Sequence, residues 1–439
     1  MTASRPEPRP LAVPSGRLSR LARFGGLASG IAGNVALNGA RQIAQGRRPV
    51  MSDLILTPAN VARLAEQLAQ MRGAAMKVGQ LLSMDAGEML PPELADILGR
   101  LRAEAHYMPP PQLRSVLTAA WGADWHRRFR TFNVRPIAAA SIGQVHRAVT
   151  REGEDLAVKV QYPGVRRSID SDVDNVAALI RLSGLVPKGL DLGAMLDEAK
   201  RQLHEEADYQ REGRCLSRFA ALLGGDARFR VPDLHVRFTT RDVLAMGHVG
   251  GGPVEDLASA PQAERDRVTT LLIGLMFREL FEFRLMQTDP NFANYRHDAE
   301  TGQVVLLDFG ATREVSADLS EGYRGLLRAG LAGDAAATRR AVFDLGFISD
   351  AVPEDIRSLM LEMLEISMEP LRARWFDFGG TDVAMRLRDL GMAIGERREI
   401  HHLPPVETFY IQRKFGGMYL LASRLRARVA IRELIEPHL

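Results

Sequence analysis

The sequence predicts an α+β protein with two lobes and an N-terminal helical extension. Short strand-like segments lie between about residues 130 and 248, and helical patterns dominate the remainder. A cluster of glycines followed by proline, Gly250 to Pro253, separates the two regions and is typical of a break in regular structure. We therefore expect a small lobe of strands and helices, a hinge, and a larger helical lobe. Clefts between lobes are where ligands usually bind.

The composition is typical of a soluble globular protein. Of the 439 residues, 46% are hydrophobic and 25% are charged, which suffices for one large or two ordinary cores. The single cysteine, Cys215, excludes an internal disulfide and favours a reducing compartment, and we expect it to pack in the core. No apolar run of about 18 residues and no signal-peptide core occurs, so we expect a cytoplasmic protein.

The beginning of the chain is a basic arm rich in glycine and alanine. The stretch Arg20 to Arg41 is flanked by arginine and spaces its glycines as in closely packed helices. It suits an anionic membrane surface at the inner face of the membrane, and a poorly ordered arm is the alternative. From Thr57 to Leu90 the apolar spacing indicates one helix face. The predicted domains are an arm (1–50), a helical extension (51–130), an N-lobe (131–250) and a helical C-lobe (251–439).

The small lobe should contain a hairpin and two helices. The stretches "FNVRPIAAASIGQVHRAV" and "LAVKVQY" flank the glycine-containing turn "TREGED" and predict two strands. A helix is expected around Asp172 to Leu185, and a long one from about Leu190 to Leu222. Two more strands are expected within "VPDLHVRFTTRDVLAMGHV". In the larger lobe a helix should end near Arg284.

The loop inside the first of these stretches, "AAAS" ahead of "GQVHRAV", is rich in alanine. A phosphate-binding loop at this place is usually rich in glycine. Alanine restricts the backbone, so we expect this loop to begin a helical turn rather than drape over phosphates. We interpret it as a remodelled phosphate site, and an ordinary hairpin is the alternative. Within this loop, the residues assigned to nucleotide binding are Ala138, Ala139, Ala140 and Ser141.

Three polar residues have the spacing of a phosphoryl-transfer site. Asp289 precedes Asn294 by five positions and Asp308 by nineteen, and Asp308 begins an Asp-Phe-Gly after an apolar strand. Asp289 is predicted as a catalytic residue, together with Lys159 and Glu212 described below. Asn294 and Asp308 are the predicted oxygen ligands of Mg²⁺. A second Asp-Phe-Gly, at Asp377, has no such strand before it and is predicted to be a surface turn.

Lysine is scarce, which makes each lysine informative. Only five of the 57 basic residues are lysine. A lysine kept among arginines suits phosphate as a compact point charge. Lys159 ends "LAVK", and Glu212 on the long helix is its expected partner. The alternative for Lys159 is a solvated position on an edge strand.

Taken together, the motifs resemble the UbiB (ADCK) family of atypical kinase-like proteins over roughly residues 20 to 425. They are "KVGQ" at Lys77 to Gln80, "AAASIGQVHRA", "VKVQYPGV", "EADYQREG", "QTDPNFANY" and "DFGATR". The resemblance implies a bilobal protein-kinase-like fold that binds ATP or ADP with Mg²⁺. It also implies that the alanine-rich loop replaces a glycine-rich one, and that Lys77 comes from the helical extension, which folds over the cleft. The family is tied to biosynthesis of ubiquinone and related prenyl lipids.

Helical spacing refines these assignments. Lys77 and Gln80 are three residues apart and share a helix face beside the apolar stripe. The resemblance identifies Glu206 and Asp208 as its E-x-D motif. On one continuous helix Asp208 and Glu212 share a face, whereas Glu206 does not, so we expect Glu206 to pair with Lys77. A solvated acidic face is the alternative.

Three functions are compatible with these residues. The first is a Mg-dependent ATPase or phosphotransferase; no Ala-Pro-Glu follows Asp308, which disfavours protein kinase activity in trans. The second is a nucleotide-gated scaffold for lipid-biosynthetic enzymes, and the third is a small-molecule kinase of the aminoglycoside type. The expected partners are adenine nucleotide, a lipid or quinone precursor and an anionic membrane, but no nucleic acid. A homodimer is left open.

Overall fold

The computed structural model describes residues 107–140, 142–183, 192–395, 402 and 404–439. The helices are α1 Pro110–Trp121, α2 Val165–Ser183, α3 Leu192–Glu206, α4 Tyr209–Leu223, α5 Gln262–Arg278, α6 Ala317–Ala332, α7 Ala335–Asp344, α8 Glu354–Ser367, α9 Glu369–Arg372, α10 Val383–Gly395, α11 Val406–Leu425 and α12 Ile431–Ile435. The strands are β1 Phe129–Phe132, β2 Ala138–Ala139, β3 Gly143–Thr150, β4 Asp155–Gln161, β5 Phe229–Arg230, β6 Val243–Gly247, β7 Gly252–Pro253, β8 Leu285–Gln287, β9 Tyr295–His297, β10 Val304–Leu306, β11 Thr312–Glu314, β12 Phe376–Asp377 and β13 Arg428–Val429.

The chain divides into two compact units. Among the described residues, the first unit comprises those up to Arg211 together with Leu234–His248, and the second comprises Glu212–Asp233 together with those from Val249 onward. Helix α4 begins in the first unit and continues in the second. None of the helices that the structure describes is both long and apolar enough to cross a membrane.

The first unit is built on an antiparallel sheet. Its strands follow the order β1-β3-β4-β6, and β2 also pairs with β3. Strands β3 and β4 form the expected hairpin, with Gly153 at a φ of 97° in the connecting turn. A residue with a β-carbon adopts this left-handed conformation only at a cost. Under the sheet, the Trp121 indole lies 5.3 Å from the Phe129 ring and donates a hydrogen bond of 3.0 Å to the Phe238 carbonyl.

The second unit is mostly helical and surrounds the buried helix α5. This helix runs into a π-helical turn, Glu279–Phe283, and ends at Arg284, which has a left-handed φ of 47°. The end predicted near Arg284 is therefore confirmed. Helix α11 packs on α5, and the Phe277 and Phe415 rings are 6.0 Å apart across this contact. Strands β5, β10, β9 and β7 form one sheet, and β8 pairs with β11. Cys215 is buried, as predicted.

The single helix expected over Leu190–Leu222 is wrong, because α3 and α4 are separated at Ala207 and Asp208. The Ala207 carbonyl accepts a hydrogen bond of 2.7 Å from the Gln161 amide. The Asp208 carboxylate accepts one of 2.9 Å from the Arg211 backbone N–H. Asp208 thus caps the start of α4, which is a favoured role for aspartate.

The prediction of two strands in "VPDLHVRFTTRDVLAMGHV" is also wrong. The structure describes this whole stretch, and it contains one strand, β6. Leu234, upstream of β6, forms an isolated bridge with Met246 of β6. A 3₁₀ turn, Val236–Phe238, lies between them. Pro232 has no backbone N–H to donate to a neighbouring strand, which disfavours a longer strand there.

Candidate functional site

The segment around Asp289 is organised by Asn294. The Asn294 side-chain nitrogen donates to the Asp289 backbone carbonyl at 3.1 Å and to its Oδ2 at 3.3 Å. Asn294 closes a 3₁₀ turn, Phe292–Asn294, that Asn291 caps by accepting the Ala293 N–H at 3.2 Å. Since the amide nitrogen faces Asp289, the Asn294 Oδ1 is the atom left to face a cation.

The first Asp-Phe-Gly is fixed next to Asn294. It follows the fully buried strand β10, and the Leu307 N–H donates to the Asn294 carbonyl at 3.0 Å. The Gly310 N–H donates to Asp308 Oδ1 at 2.9 Å. Phe309 is buried, and its ring lies 4.9 Å from that of Phe219 on α4. Asp289, Asn294 and Asp308 are therefore brought into one neighbourhood.

Glu212 lies beside the same Asp-Phe-Gly. It is buried in the first turn of α4. A β-carbon built on Gly310 would lie 3.3 Å from Asp308 Oδ1 and 3.4 Å from Glu212 Oε2. Both carboxylates thus border Gly310, and the buried carboxylate of Glu212 requires a charge-compensating partner.

Lys159 lies on a central strand, because β4 is paired on both sides, with β3 and β6. Its side chain is buried, and its Nζ lies 5.2 Å from the centre of the Tyr209 ring. The alternative of a solvated lysine on an edge strand is therefore wrong. The predicted pairing of Lys159 with Glu212 stays a prediction.

The alanine-rich loop is a hairpin strand. Ala138 pairs with Val145 and Ala139 with Gln144, and the Ala140 N–H donates to the Gly143 carbonyl at 2.9 Å. The expected helical turn is wrong, because pairing with β3 satisfies the same backbone groups. The hairpin alternative describes the local structure correctly, although Ser141 lies outside the described residues. The role of this loop in nucleotide binding stays a prediction.

The E-x-D residues lie at the break between α3 and α4. Glu206 is the last residue of α3, and Asp208 precedes α4. Asp208 and Glu212 therefore do not lie on one continuous helix with Glu206. The prediction that assigned these three residues to faces of a single helix is wrong. Lys77 and Gln80 lie outside the described residues, so the pairing of Lys77 with Glu206 stays a prediction.

Two consecutive residues of α11 contact the site and were missed from the sequence. The Arg413 Nη2 lies 2.8 Å from Asp289 Oδ1, and its side chain is 6% exposed. The Lys414 Nζ lies 3.1 Å from Glu279 Oε2 and donates to the Tyr295 hydroxyl at 3.0 Å. The scarcity of lysine was a signal for Lys414, but nothing near it in sequence indicated a partner.

The buried Lys414 retains its charge. Burial by itself lowers the pKa of the Lys414 ammonium, but the adjacent Glu279 carboxylate raises it above its usual value. Removing one member of such a pair leaves an uncompensated buried charge. The pair therefore ties α11 to the π-helical turn that follows α5.

The second Asp-Phe-Gly is a turn, as predicted. Asp377 Oδ1 accepts the N–H groups of Gly379 at 3.0 Å and Gly380 at 3.2 Å. Its Oδ2 accepts a hydrogen bond of 3.0 Å from the Arg428 guanidinium. Its carboxylate is therefore used within the turn and by β13.

Comparison with known proteins decides the family. The model of the ABC1 atypical kinase-like domain matches residues 100–342. The chain belongs to this family. The ABC1 family is that of the COQ8 and ADCK atypical kinases, also called UbiB, so the resemblance stated from the motifs is confirmed. The kinase-like α+β fold is confirmed with it.

Other members of the ABC1 family align with nearly the whole chain. "Atypical kinase COQ8, mitochondrial" of Saccharomyces cerevisiae is 37% identical over 97% of this chain and 85% of its own length. "Atypical kinase COQ8B, mitochondrial" of Rattus norvegicus is 38% identical over 97% of this chain and 80% of its own length. The solved Rv3197–erythromycin complex from Mycobacterium tuberculosis has a TM-score of 0.59 and 24% identity, covering 85% of this chain and 93% of that one. This last similarity concerns the fold.

Proposed function

We propose that the protein is a Mg-dependent ATPase or phosphotransferase that supports the biosynthesis of ubiquinone or another prenyl lipid. The observation that carries this proposal is the position of Asn294. Its amide binds Asp289, and its backbone binds Leu307, next to Asp308. The kinase-like family and the COQ8 names of the relatives support the class of reaction and the pathway.

In this proposal Asn294 Oδ1 and the Asp308 carboxylate hold Mg²⁺. Both are hard oxygen donors, and Mg²⁺ commonly takes one or two protein groups together with substrate phosphates. No group of three or more His, Cys, Asp or Glu side chains among the described residues forms a metal site. A site with two protein ligands is consistent with that finding. When bound, Mg²⁺ neutralises charge on the phosphate oxygens.

Asp289 is assigned the task of orienting the nucleophile. Phosphoryl transfer has a loose transition state, so catalysis depends mainly on positioning and on electrostatic stabilisation. The nucleophile is water in an ATPase or a hydroxyl of an acceptor in a phosphotransferase. Asp289 accepts its hydrogen bond and finally its proton.

The remaining residues are assigned to the nucleotide phosphates. Lys159 binds them as a buried cation, and Glu212 orients Lys159. The alanine-rich hairpin borders them through its backbone. The other residues assigned to the nucleotide side are Lys77, Gln80, Glu206 and Asp208.

The proposed location is cytoplasmic and peripheral, at the inner face of the membrane. Both relatives described above carry "mitochondrial" in their names. A prenyl-lipid precursor partitions into membranes, so a protein acting on it or assembling its enzymes benefits from membrane contact. The proposed partners are adenine nucleotide, a lipid or quinone precursor, anionic lipid and lipid-biosynthetic enzymes.

The first test is thermal unfolding of Asp308→Asn with and without Mg-ATP. The unliganded variant should unfold close to wild type, but Mg-ATP should no longer raise its Tm, because one metal ligand has lost its charge. Asp377→Asn is the matched control in the second Asp-Phe-Gly and should keep the full Mg-ATP shift. If Asp308→Asn is stabilised as much as wild type, the metal assignment is wrong.

The second test is ATP turnover with and without anionic liposomes and a ubiquinone-like phenol. Turnover that either addition stimulates supports an enzyme acting at a lipid surface. Binding of Mg-ATP with no turnover under any condition would instead support the nucleotide-gated scaffold.

A further inference from the structure

Helix α11 supports the segment that carries Asp289 at several points. The Arg313 guanidinium, just after the Asp-Phe-Gly, lies 4.6 Å from the centre of the Tyr410 ring. Arg413 binds Asp289, and Lys414 reaches Gln287 at 3.3 Å. One C-terminal helix therefore contacts the residues on both sides of the candidate catalytic aspartate.

Two adjacent basic residues of α11, Arg413 and Lys414, hold different parts of Asp289 in place. The Gln287 side-chain nitrogen donates to the Asp289 backbone carbonyl at 2.8 Å, and its Oε1 accepts from Lys414. Lys414 is therefore linked to the main chain of Asp289 by two successive hydrogen bonds through the Gln287 side chain. Arg413 acts on the side chain directly.

The Asp289 carboxylate is held at both oxygens. Oδ1 accepts from Arg413 at 2.8 Å, and Oδ2 accepts from the Asn294 amide at 3.3 Å. The side chain of Asp289 is 22% exposed and that of Arg413 is 6% exposed, so solvent screens this pair weakly. A charged donor on one oxygen and a neutral donor on the other fix the plane of the carboxylate.

We propose that Arg413 is a positioning residue that holds the Asp289 carboxylate in one orientation, so that Asp289 is aligned to orient the nucleophile. This inference rests on the proposed function. A guanidinium is a planar, directional donor, so it fixes the orientation of a carboxylate that accepts from it. A well-oriented carboxylate suits a loose transition state, because catalysis then depends mainly on positioning.

The test compares kcat and KM of Arg413→Gln, Arg413→Lys and the matched control Arg424→Gln. Arg424 lies on the same helix, but its side chain is 59% exposed and lies 3.3 Å from Glu255. Arg413→Gln should lower kcat roughly 10- to 100-fold, because a misplaced catalytic group has that effect. Its KM for Mg-ATP and its Mg-ATP shift in Tm should stay within about twofold of wild type. Arg424→Gln should behave as wild type.

The conservative variant and the separate readouts of kcat and KM distinguish positioning from a structural role. Arg413→Lys should recover part of the lost kcat, because lysine keeps the charge but not the planar fork. If Arg413→Gln does not fold, the lowered kcat and intact Mg-ATP binding of Arg413→Lys test the same role.

The outcomes distinguish failure of the role of Arg413 from failure of the proposed function. An active wild type with an unchanged kcat in Arg413→Gln overturns the role of Arg413 and leaves the proposed function intact. A wild type that binds Mg-ATP without turnover overturns the proposed enzymatic function and this role with it. Equal losses of kcat in Arg413→Gln and Arg413→Lys, with a raised KM and a reduced Mg-ATP shift in Tm in both, would assign Arg413 to structural support alone.

Discussion

Two buried titratable side chains of this protein are stabilised in opposite protonation states. Lys414 is charged and lies against Glu279. His146 is fully buried, and burial lowers the pKa of His146 to about 4. Its Nδ1 lies 2.7 Å from the Asn133 carbonyl, and its Nε2 lies 2.9 Å from the Gln144 amide nitrogen. A neutral imidazole that donates through Nδ1 and accepts at Nε2 satisfies both contacts.

His146 therefore makes the first unit sensitive to acid. Between pH 6.5 and about 4 the unfolded chain binds a proton at this residue and the folded chain does not, so stability falls as pH falls through that window. We expect proton binding by His146 in the unfolded chain to lower the free energy of unfolding of wild type by about 2 kcal/mol at pH 5 relative to pH 7.5. His146→Gln removes it. Urea unfolding at both pH values should show a smaller acid-induced loss in the variant, and equal losses would contradict the prediction.

At the residue scale, local spacing predicted the part of the site that is local in sequence. Asn294 is hydrogen-bonded to Asp289 and to Leu307, the residue before Asp308, so the spacing within this short segment carries the geometry. Arg413 was missed because it contacts Asp289 across 124 residues of sequence. No periodicity in α11 distinguishes a buried arginine that faces a carboxylate from the many surface arginines of this chain.

At the element scale, α11 and the Asp289 segment approach closely where two glycines occur in succession. Gly417 faces Pro290, the residue after Asp289, and a β-carbon on Gly417 would overlap the Pro290 side chain. Gly416 has no atom within 4 Å of the position of an added β-carbon. The pair thus offers a buried position and an exposed control in one helix.

Gly417→Ala should lower both stability and turnover. We expect a loss of about 1–3 kcal/mol, the usual effect of overpacking, because either α11 or Pro290 must shift. Gly416→Ala should gain up to about 1 kcal/mol, since alanine favours the helix and meets nothing there. Chemical unfolding and kcat measured on both variants check this. A Gly417→Ala protein as stable and active as Gly416→Ala would show that the approach of Pro290 to α11 is not required.

The errors in the predicted elements have a common physical cause. The hairpin of β3 and β4 followed from its own turn and alternation, and it was predicted correctly. The break at Ala207 and the strand at Ala138 depend on groups distant in sequence or on pairing, namely the Gln161 amide and strand β3. Local propensity does not include such partners, so it favoured helix at both places.

At the scale of the whole molecule, membrane contact is predicted to depend on the N-terminal arm. The stretch Arg20 to Arg41 combines arginines with an apolar, glycine-spaced sequence, which suits an anionic lipid surface. Deleting residues 1–50 should reduce co-sedimentation with anionic liposomes and leave the Mg-ATP shift in Tm unchanged. Vesicles of neutral lipid should bind both proteins weakly. Undiminished binding of the truncated protein to anionic liposomes would place the contact elsewhere.

The ion pair between Asp289 and Arg413 joins two residues that the ribosome adds at different times. A ribosome adds roughly 5–20 residues per second, so Arg413 is made about 6–25 s after Asp289, given their separation of 124 residues. Throughout that interval the nascent chain holds Asp289 and Asn294 but not the helix that fixes them. The order of synthesis therefore delays a fully formed site until the C-terminal helices have been translated.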